Sequence, residues 1–139
     1  MTAMRPKSAR KVVLVVEDDD HVAELLTSAI NDEDGYVALR VPDAERALRA
    51  VATVSTDVLV VDIELPGMSG LDLYDRLRAE PRYRSIPVVF ETGRAPAYAD
   101  EMRRRGIAAF VRKPFDLNDV VRFVKSLAPV SRPGARATA

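Results

Sequence analysis

Val58-Leu59-Val60-Val61-Asp62-Ile63-Glu64-Leu65-Pro66-Gly67-Met68-Ser69 is the stretch on which the reading of this chain turns. Four apolar, mostly β-branched residues in succession leave no polar face. That suits a strand covered on both sides, as in a parallel sheet packed between helices. The run ends on a carboxylate, Asp62, and passes at once into the turn formers Pro66, Gly67 and Ser69. An acid at the mouth of a wholly apolar strand is costly without a partner. The partner must come from elsewhere in the chain.

The same pattern recurs outward from this stretch. Residues 12–16 are a second continuous apolar run, and it ends in Glu17-Asp18-Asp19-Asp20. Val22, Leu25, Leu26, Ala29 and Ile30 then recur at helical spacing, with Gly35 as a stop. Residues 36–41 read as a strand, and Pro42-Asp43 opens a helix through Ala44, Ala47, Leu48 and Val51, with Asp43 as its N-cap. Leu71, Tyr74 and Leu77 mark a helix that must stop before Pro81. Residues 86–90 predict a strand, 98–105 a helix closed by Gly106, and 107–111 a last strand. The stripe Leu117, Val120, Val121, Val124 and Leu127 gives the final helix. Five strands alternating with five helices over short loops predict a doubly wound α/β domain with a parallel sheet. The body spans residues 11–128. Residues 1–10 and 129–139, rich in Pro, Ala and Arg, are expected to be disordered tails.

Composition narrows the function. With 139 residues the chain is long enough for one core and needs no staple, and it contains no cysteine, which removes disulfides and thiolate chemistry. Acids and bases are equal in number, so non-specific nucleic-acid binding is not expected. The apolar runs fall far short of the roughly 20 residues of a membrane span. No signal-peptide pattern follows the basic N-terminus, and a cytoplasmic location is expected.

Ligands of open parallel sheets bind at the carboxyl ends of the strands. Those ends carry Glu17 and Asp18, Asp62, Glu91 and Thr92, and Arg112 and Lys113. Clustered carboxylates repel unless a cation sits among them, and hard oxygens with room for water and phosphate suit magnesium. A carboxylate can attack phosphorus, while a lysine and a hydroxyl hold the transferred oxygens. The set reads as phosphoryl transfer to an aspartate.

Here the chain resembles the response-regulator receiver domains of two-component signalling, over residues 11 to about 127. The resemblance rests on Val-Val-Glu17-Asp18-Asp19, on Val-Val-Asp62 through Pro66-Gly67 to Gly70, on Glu91-Thr92-Gly93 and on Lys113-Pro114-Phe115, in that order. It implies a five-stranded flavodoxin-like sheet of order 2-1-3-4-5. It implies that Asp62 is the phospho-acceptor, and that Glu17, Asp18, Asp62 and the backbone carbonyl of Glu64 hold Mg2+ or Mn2+. Thr92 and Lys113 would receive the phosphoryl group, with Thr92 and Phe110 as switch residues. Glu64 and Arg94 would modulate phosphoryl lifetime, and the Lys113–Pro114 bond would be cis. Such a domain is not a turnover enzyme. It takes a phosphoryl group with the metal's help from a histidine kinase or histidine phosphotransfer protein, and later loses it by its own hydrolysis. It then changes protein binding on the face of the fourth helix, fifth strand and fifth helix, with no nucleic-acid or membrane partner. Ala108 and Ala109 replace acids used for dimer contacts in some similar regulators.

About a dozen residues follow the last helix, which suggests a stand-alone, chemotaxis-type switch. A receiver excised from a larger regulator or hybrid kinase, a non-phosphorylated receiver-like binding module, and, more remotely, a small aspartyl phosphatase are the alternatives. Single residues also have plain readings: Asp19 or Asp20 as a helix cap, His21 as a solvent-facing residue, Arg103 to Arg105 as a solvated helix face. Glu91 and Arg112 are expected to pair across neighbouring strands.

Overall fold

The computed structural model describes residues 10–131. The elements are β1 (Lys11–Val16), α1 (Asp20–Asn31), β2 (Tyr36–Val41), α2 (Ala44–Thr53), β3 (Val58–Asp62), α3 (Gly70–Ala79), β4 (Val88–Thr92), α4 (Ala95–Arg104), β5 (Phe110–Arg112) and α5 (Leu117–Leu127). The strands form one sheet of order β2-β1-β3-β4-β5, parallel throughout. This is the doubly wound, flavodoxin-like arrangement expected from the sequence. Residues 1–9 and 132–139, which hold most of the two expected tails, lie outside the described residues.

The continuous apolar strands are explained by two cores, one on each face. Leu14, Val16, Leu59, Val61, Val88 and Phe90 face α2, α3 and α4. Their alternating neighbours Val13, Val15, Val58, Val60, Val89 and Val111 face α1 and α5. Each such side chain contributes about 1.5–3 kcal/mol on full burial. The period of two therefore decides which face the strand-end residues take. Glu17, Asp62 and Glu91 follow Val15, Val60 and Val89, whereas Thr92 follows Phe90.

Four helices are started by side chains that accept from orphan N–H groups. Asp19 takes the His21 and Val22 N–H groups, Asp43 that of Arg46, Ser69 that of Asp72, and Asp116 that of Asn118. Such caps contribute about 1 kcal/mol each. Bonds from the Val22 and His21 N–H groups hold the Asp19 carboxyl below its usual range. At α4, Pro96 sits in the first turn, and no side chain caps the start. Gly106, at φ +73°, closes α4 as a Schellman turn, with Gly106 N donating to Arg103 O and Ile107 N to Met102 O.

Two strands begin later than their apolar runs. β4 starts at Val88 and continues through Glu91 and Thr92, because Pro87 contributes only its carbonyl, to Leu59 N. β5 is confined to Phe110–Arg112, and Ile107 packs instead against the first core. Gly35 does not end α1, which is capped by Asp32; at φ +88° it turns the chain into β2. The Arg103 to Arg105 run is only partly a solvated face. Arg105 makes a two-pronged ion pair with Asp75 of α3, at 2.8 and 2.9 Å, which holds the Asp75 carboxyl below its usual range.

Ala128 and Val130 straddle the expected domain boundary, and both pack against the second core. The buried Tyr36 hydroxyl donates to Ala128 O at 2.7 Å and ties β2 to the end of α5. Tyr36→Phe is expected to lower unfolding stability by about 1 kcal/mol, with an unchanged denaturant slope in a urea titration, since it leaves one buried carbonyl short of a donor.

Candidate functional site

The carboxyl ends of β1, β3 and β4 bring three acids together on one face of the sheet. Glu17, immediately after β1, is fully buried, and its Oε2 accepts the Asp19 N–H at 3.0 Å. Arg40 of β2 pins this corner: its Nε and Nη2 donate to Glu17 O at 2.9 and 2.7 Å, and its Nη1 meets Asp20 at 2.9 Å. Asp18 is exposed beside it. Asp62 is 2% exposed, and both its oxygens are held: Oδ1 by the Glu64 N–H at 2.9 Å, Oδ2 by Lys113 Nζ at 2.9 Å. A carboxylate that accepts at both oxygens is held in one orientation.

Lys113 reaches Asp62 from the far side of β4. Its backbone N–H donates to Thr92 O at 2.8 Å, and the Lys113–Pro114 bond is cis, as the resemblance implied. Burial pulls the Lys113 ammonium down, but the hydrogen bond and charge of Asp62 outweigh it and hold the group above its ordinary value. The lysine is a fixed cation.

One carboxylate oxygen each from Glu17, Asp18 and Asp62 lies within 4.8 Å of the others. Glu17 Oε1 is buried with no hydrogen-bond donor. Three hard oxygen ligands and an orphaned carboxylate oxygen fit a divalent cation. Burial raises the Glu17 carboxyl above its ordinary value, and Asp62 adds to the effect.

Gly70 shows why β3 and α3 can meet so closely here. A Cβ at that position would lie 2.4 Å from Asp62 O and 2.9 Å from Ile63 Cα. Only glycine lets α3 begin against the Asp62 backbone.

The remaining expected residues sit around this cluster. Thr92 is fully buried, yet its hydroxyl does not bond to Asp62. Its Oγ1 donates to Glu64 Oε2 at 2.5 Å and accepts the Arg94 N–H at 2.9 Å. Glu64 Oε1 accepts the Gly93 N–H at 3.1 Å, so the Glu64 side chain turns to the β4–α4 loop. The Arg94 side chain is exposed. Phe110, the register partner of Phe90, is half-buried against the first core. His21 is exposed in the first turn of α1, and Asp19 is the cap.

The expected Glu91–Arg112 pair does not form. Glu91 stands opposite Val111 and Arg112 opposite Thr92, so consecutive positions send the two side chains to opposite faces of the sheet. Glu91 is instead fully buried beside Glu17, with Oε1 3.8 Å from Lys113 Nζ. No donor reaches either Glu91 oxygen among the described residues. Burial, and then the Glu17 charge, push the Glu91 carboxyl up to about 9. Burial thus favours the protonated Glu91 carboxyl, which can donate toward Glu17. Its inward direction was readable from the register with Val89, two residues earlier.

Comparison with known proteins gives the family of the chain. The family model for the response regulator receiver domain matches residues 13–125. The two-component response regulator PhoP of Pseudomonas aeruginosa is 38% identical over 112 residues, covering 78% of this chain and 47% of PhoP. The DNA-binding response regulator MtrA of Mycolicibacterium smegmatis is 32% identical over 118 residues, covering 84% of this chain and 50% of MtrA. The chain thus spans about half the length of these curated relatives. Among solved structures, the signal receiver domain of a signal transduction histidine kinase from Syntrophus aciditrophicus superimposes with a TM-score of 0.78 at 28% identity, covering 90% of this chain and 96% of that one. A doubly wound fold, an acid triad with its lysine, and a family match over nearly the whole sheet converge: this chain belongs to the response-regulator receiver domain family.

Proposed function

We propose that residues 11–128 form a phosphorylation-dependent switch whose acceptor is Asp62. The observation that carries this is the Asp62 carboxylate itself, buried, held at both oxygens, and flanked by Glu17 and Asp18 on one side and Lys113 on the other. An Asp62 oxygen attacks the phosphorus of a phosphohistidine on a partner kinase or phosphotransfer protein. The new O–P bond forms as the N–P bond breaks, and the departing imidazole keeps the N–P electron pair and takes up a proton. Lys113 offsets the charge on the transferred oxygens. Glu17, Asp18, Asp62 and the Glu64 carbonyl would hold Mg2+ or Mn2+, which supplies further charge neutralisation at phosphorus.

In this reading Thr92 turns to the phosphoryl group and Phe110 follows. This shifts a two-state equilibrium and alters a protein-binding face on α4, β5 and α5. Glu64 and Arg94 flank the path of hydrolytic water and set the lifetime of the acyl phosphate. No helix among the described residues is long and apolar enough to cross a membrane, which agrees with a cytoplasmic site of action. The matched relatives are about twice the length of the segment they share with this chain. The proposed switch is compatible with a free-standing domain or with the input of a longer regulator or hybrid kinase.

Incubation with acetyl phosphate and magnesium tests the proposal by intact mass. One phosphoryl group is expected to be gained, to be absent when a chelator replaces the metal, and to be lost on treatment with hydroxylamine, which cleaves acyl phosphates. A chain that gains no mass, or gains it in a hydroxylamine-resistant form, is not this switch.

A further inference from the structure

The Thr92 hydroxyl has one proton to donate, and it goes to Glu64 Oε2, 2.5 Å away. The second oxygen of the same carboxylate holds the Gly93 N–H at 3.1 Å. One side chain thus clasps both the hydroxyl and the backbone next to it. The Arg94 N–H fills an acceptor position of the hydroxyl at 2.9 Å, which leaves Thr92 well satisfied where it stands. Bonds to an ionised acceptor are the strong ones, and this one is made by a fully buried residue. Glu64 is also tied to the acceptor, since its backbone N–H donates to Asp62 Oδ1 at 2.9 Å. It touches Asp62 through its main chain and Thr92 through its side chain.

We infer that Glu64 is a positioning residue: its carboxylate holds Thr92 away from the acid pocket until Asp62 carries a phosphoryl group, and the strength of that hold sets the threshold of the switch. The inference rests on the roles proposed above for Asp62 and Thr92 and adds a control element to them. A phosphoryl group brings close to two negative charges. Those charges repel the Glu64 carboxylate while the new oxygens offer Thr92 another acceptor. Release and capture are driven by the same charge, and without Glu64 the equilibrium shifts toward the released form.

Glu64→Ala tests this while leaving the backbone contacts of residue 64 in place. In protein free of metal and phosphodonor, hydrogen exchange of the Gly93 amide is expected to quicken on the order of tenfold. The Thr92 methyl resonance is expected to move toward its position in wild-type protein treated with magnesium and beryllofluoride. Unchanged exchange and an unchanged Thr92 resonance overturn the inference.

A second measurement separates positioning from simple repulsion of anions. The beryllofluoride concentration that half-converts the Phe110 ring resonances is expected to fall roughly fivefold in Glu64→Ala, and not to fall further when the change is made in Thr92→Ala. A full gain in the Thr92→Ala background means that Glu64 acts on the anion and not through Thr92, which also overturns the inference. Failure of wild-type protein to respond to beryllofluoride sinks the phospho-switch reading instead, a result on which the exchange measurement does not depend.

Discussion

Asp62→Asn is expected to bring phosphoryl uptake from acetyl phosphate below detection in an assay that resolves it for the wild type, while leaving the fold standing. The amide keeps the shape of the side chain and a carbonyl oxygen for the Glu64 N–H, which reaches Asp62 Oδ1 at 2.9 Å. What it lacks is the charged oxygen to which the proposed function gives the attack on phosphorus. Removing one partner of a buried ion pair commonly costs about 3–5 kcal/mol, but the local charges argue for less here. The Lys113 side chain is 29% exposed, so water can reach its ammonium. Asp62 also contributes to raising both the Glu17 and the Glu91 carboxyls, so its neutralisation relieves a crowd of like charges. The melting transition is therefore expected to stay within about 2 kcal/mol of wild type. Divalent-cation titrations should show weaker binding, with one of the three clustered carboxylates gone. Undiminished mass gain would move the acceptor elsewhere. A collapsed melting transition would mean that lost uptake reports unfolding and not a missing nucleophile.

Burial of a parallel sheet on both faces writes itself into sequence as unbroken apolar runs. Val12 to Val16 and Val58 to Val61 could be read directly, and with them the positions of Glu17 and Asp62. Lys113 was found the same way, although its strand proved shorter than its apolar run. The edges of β4 and β5 were harder because Pro87 removes a donor and Glu91 breaks the apolar pattern inside a strand. Pairing Glu91 with Arg112 failed for a related reason: nearness along two strand ends does not give the face, and register with Val111 does. The Glu64 clasp could not be read at all. It depends on how two loops close over each other, which neither periodicity nor turn chemistry specifies.

Glu91 carries the largest expected pH effect. In the unfolded chain it titrates near its ordinary 4.5, whereas in the folded domain burial and Glu17 lift it to about 9. Between those values the folded state keeps a proton that the unfolded state has released. Stability from this group is therefore greatest below the unfolded value and falls as pH rises through the window, levelling off above about 9. Each unit of the window corresponds to at most about 1.4 kcal/mol, and Lys113 reduces the loss by pairing with the carboxylate once it ionises. From about pH 7 to about pH 9, metal-free wild-type protein is expected to lose on the order of 1–3 kcal/mol relative to Glu91→Gln. The amide has no proton to give up, and its N–H can take over the donation toward Glu17. Other carboxyls, such as Asp19 and Asp75, are held below their ordinary values and act at the acid end of the scale, so the difference between the two proteins isolates residue 91. Urea titrations of both proteins across this range, with a chelator present to keep cations off Glu17, give that difference directly. Parallel curves would mean that Glu91 is ionised throughout and is neutralised by Lys113 alone, 3.8 Å away.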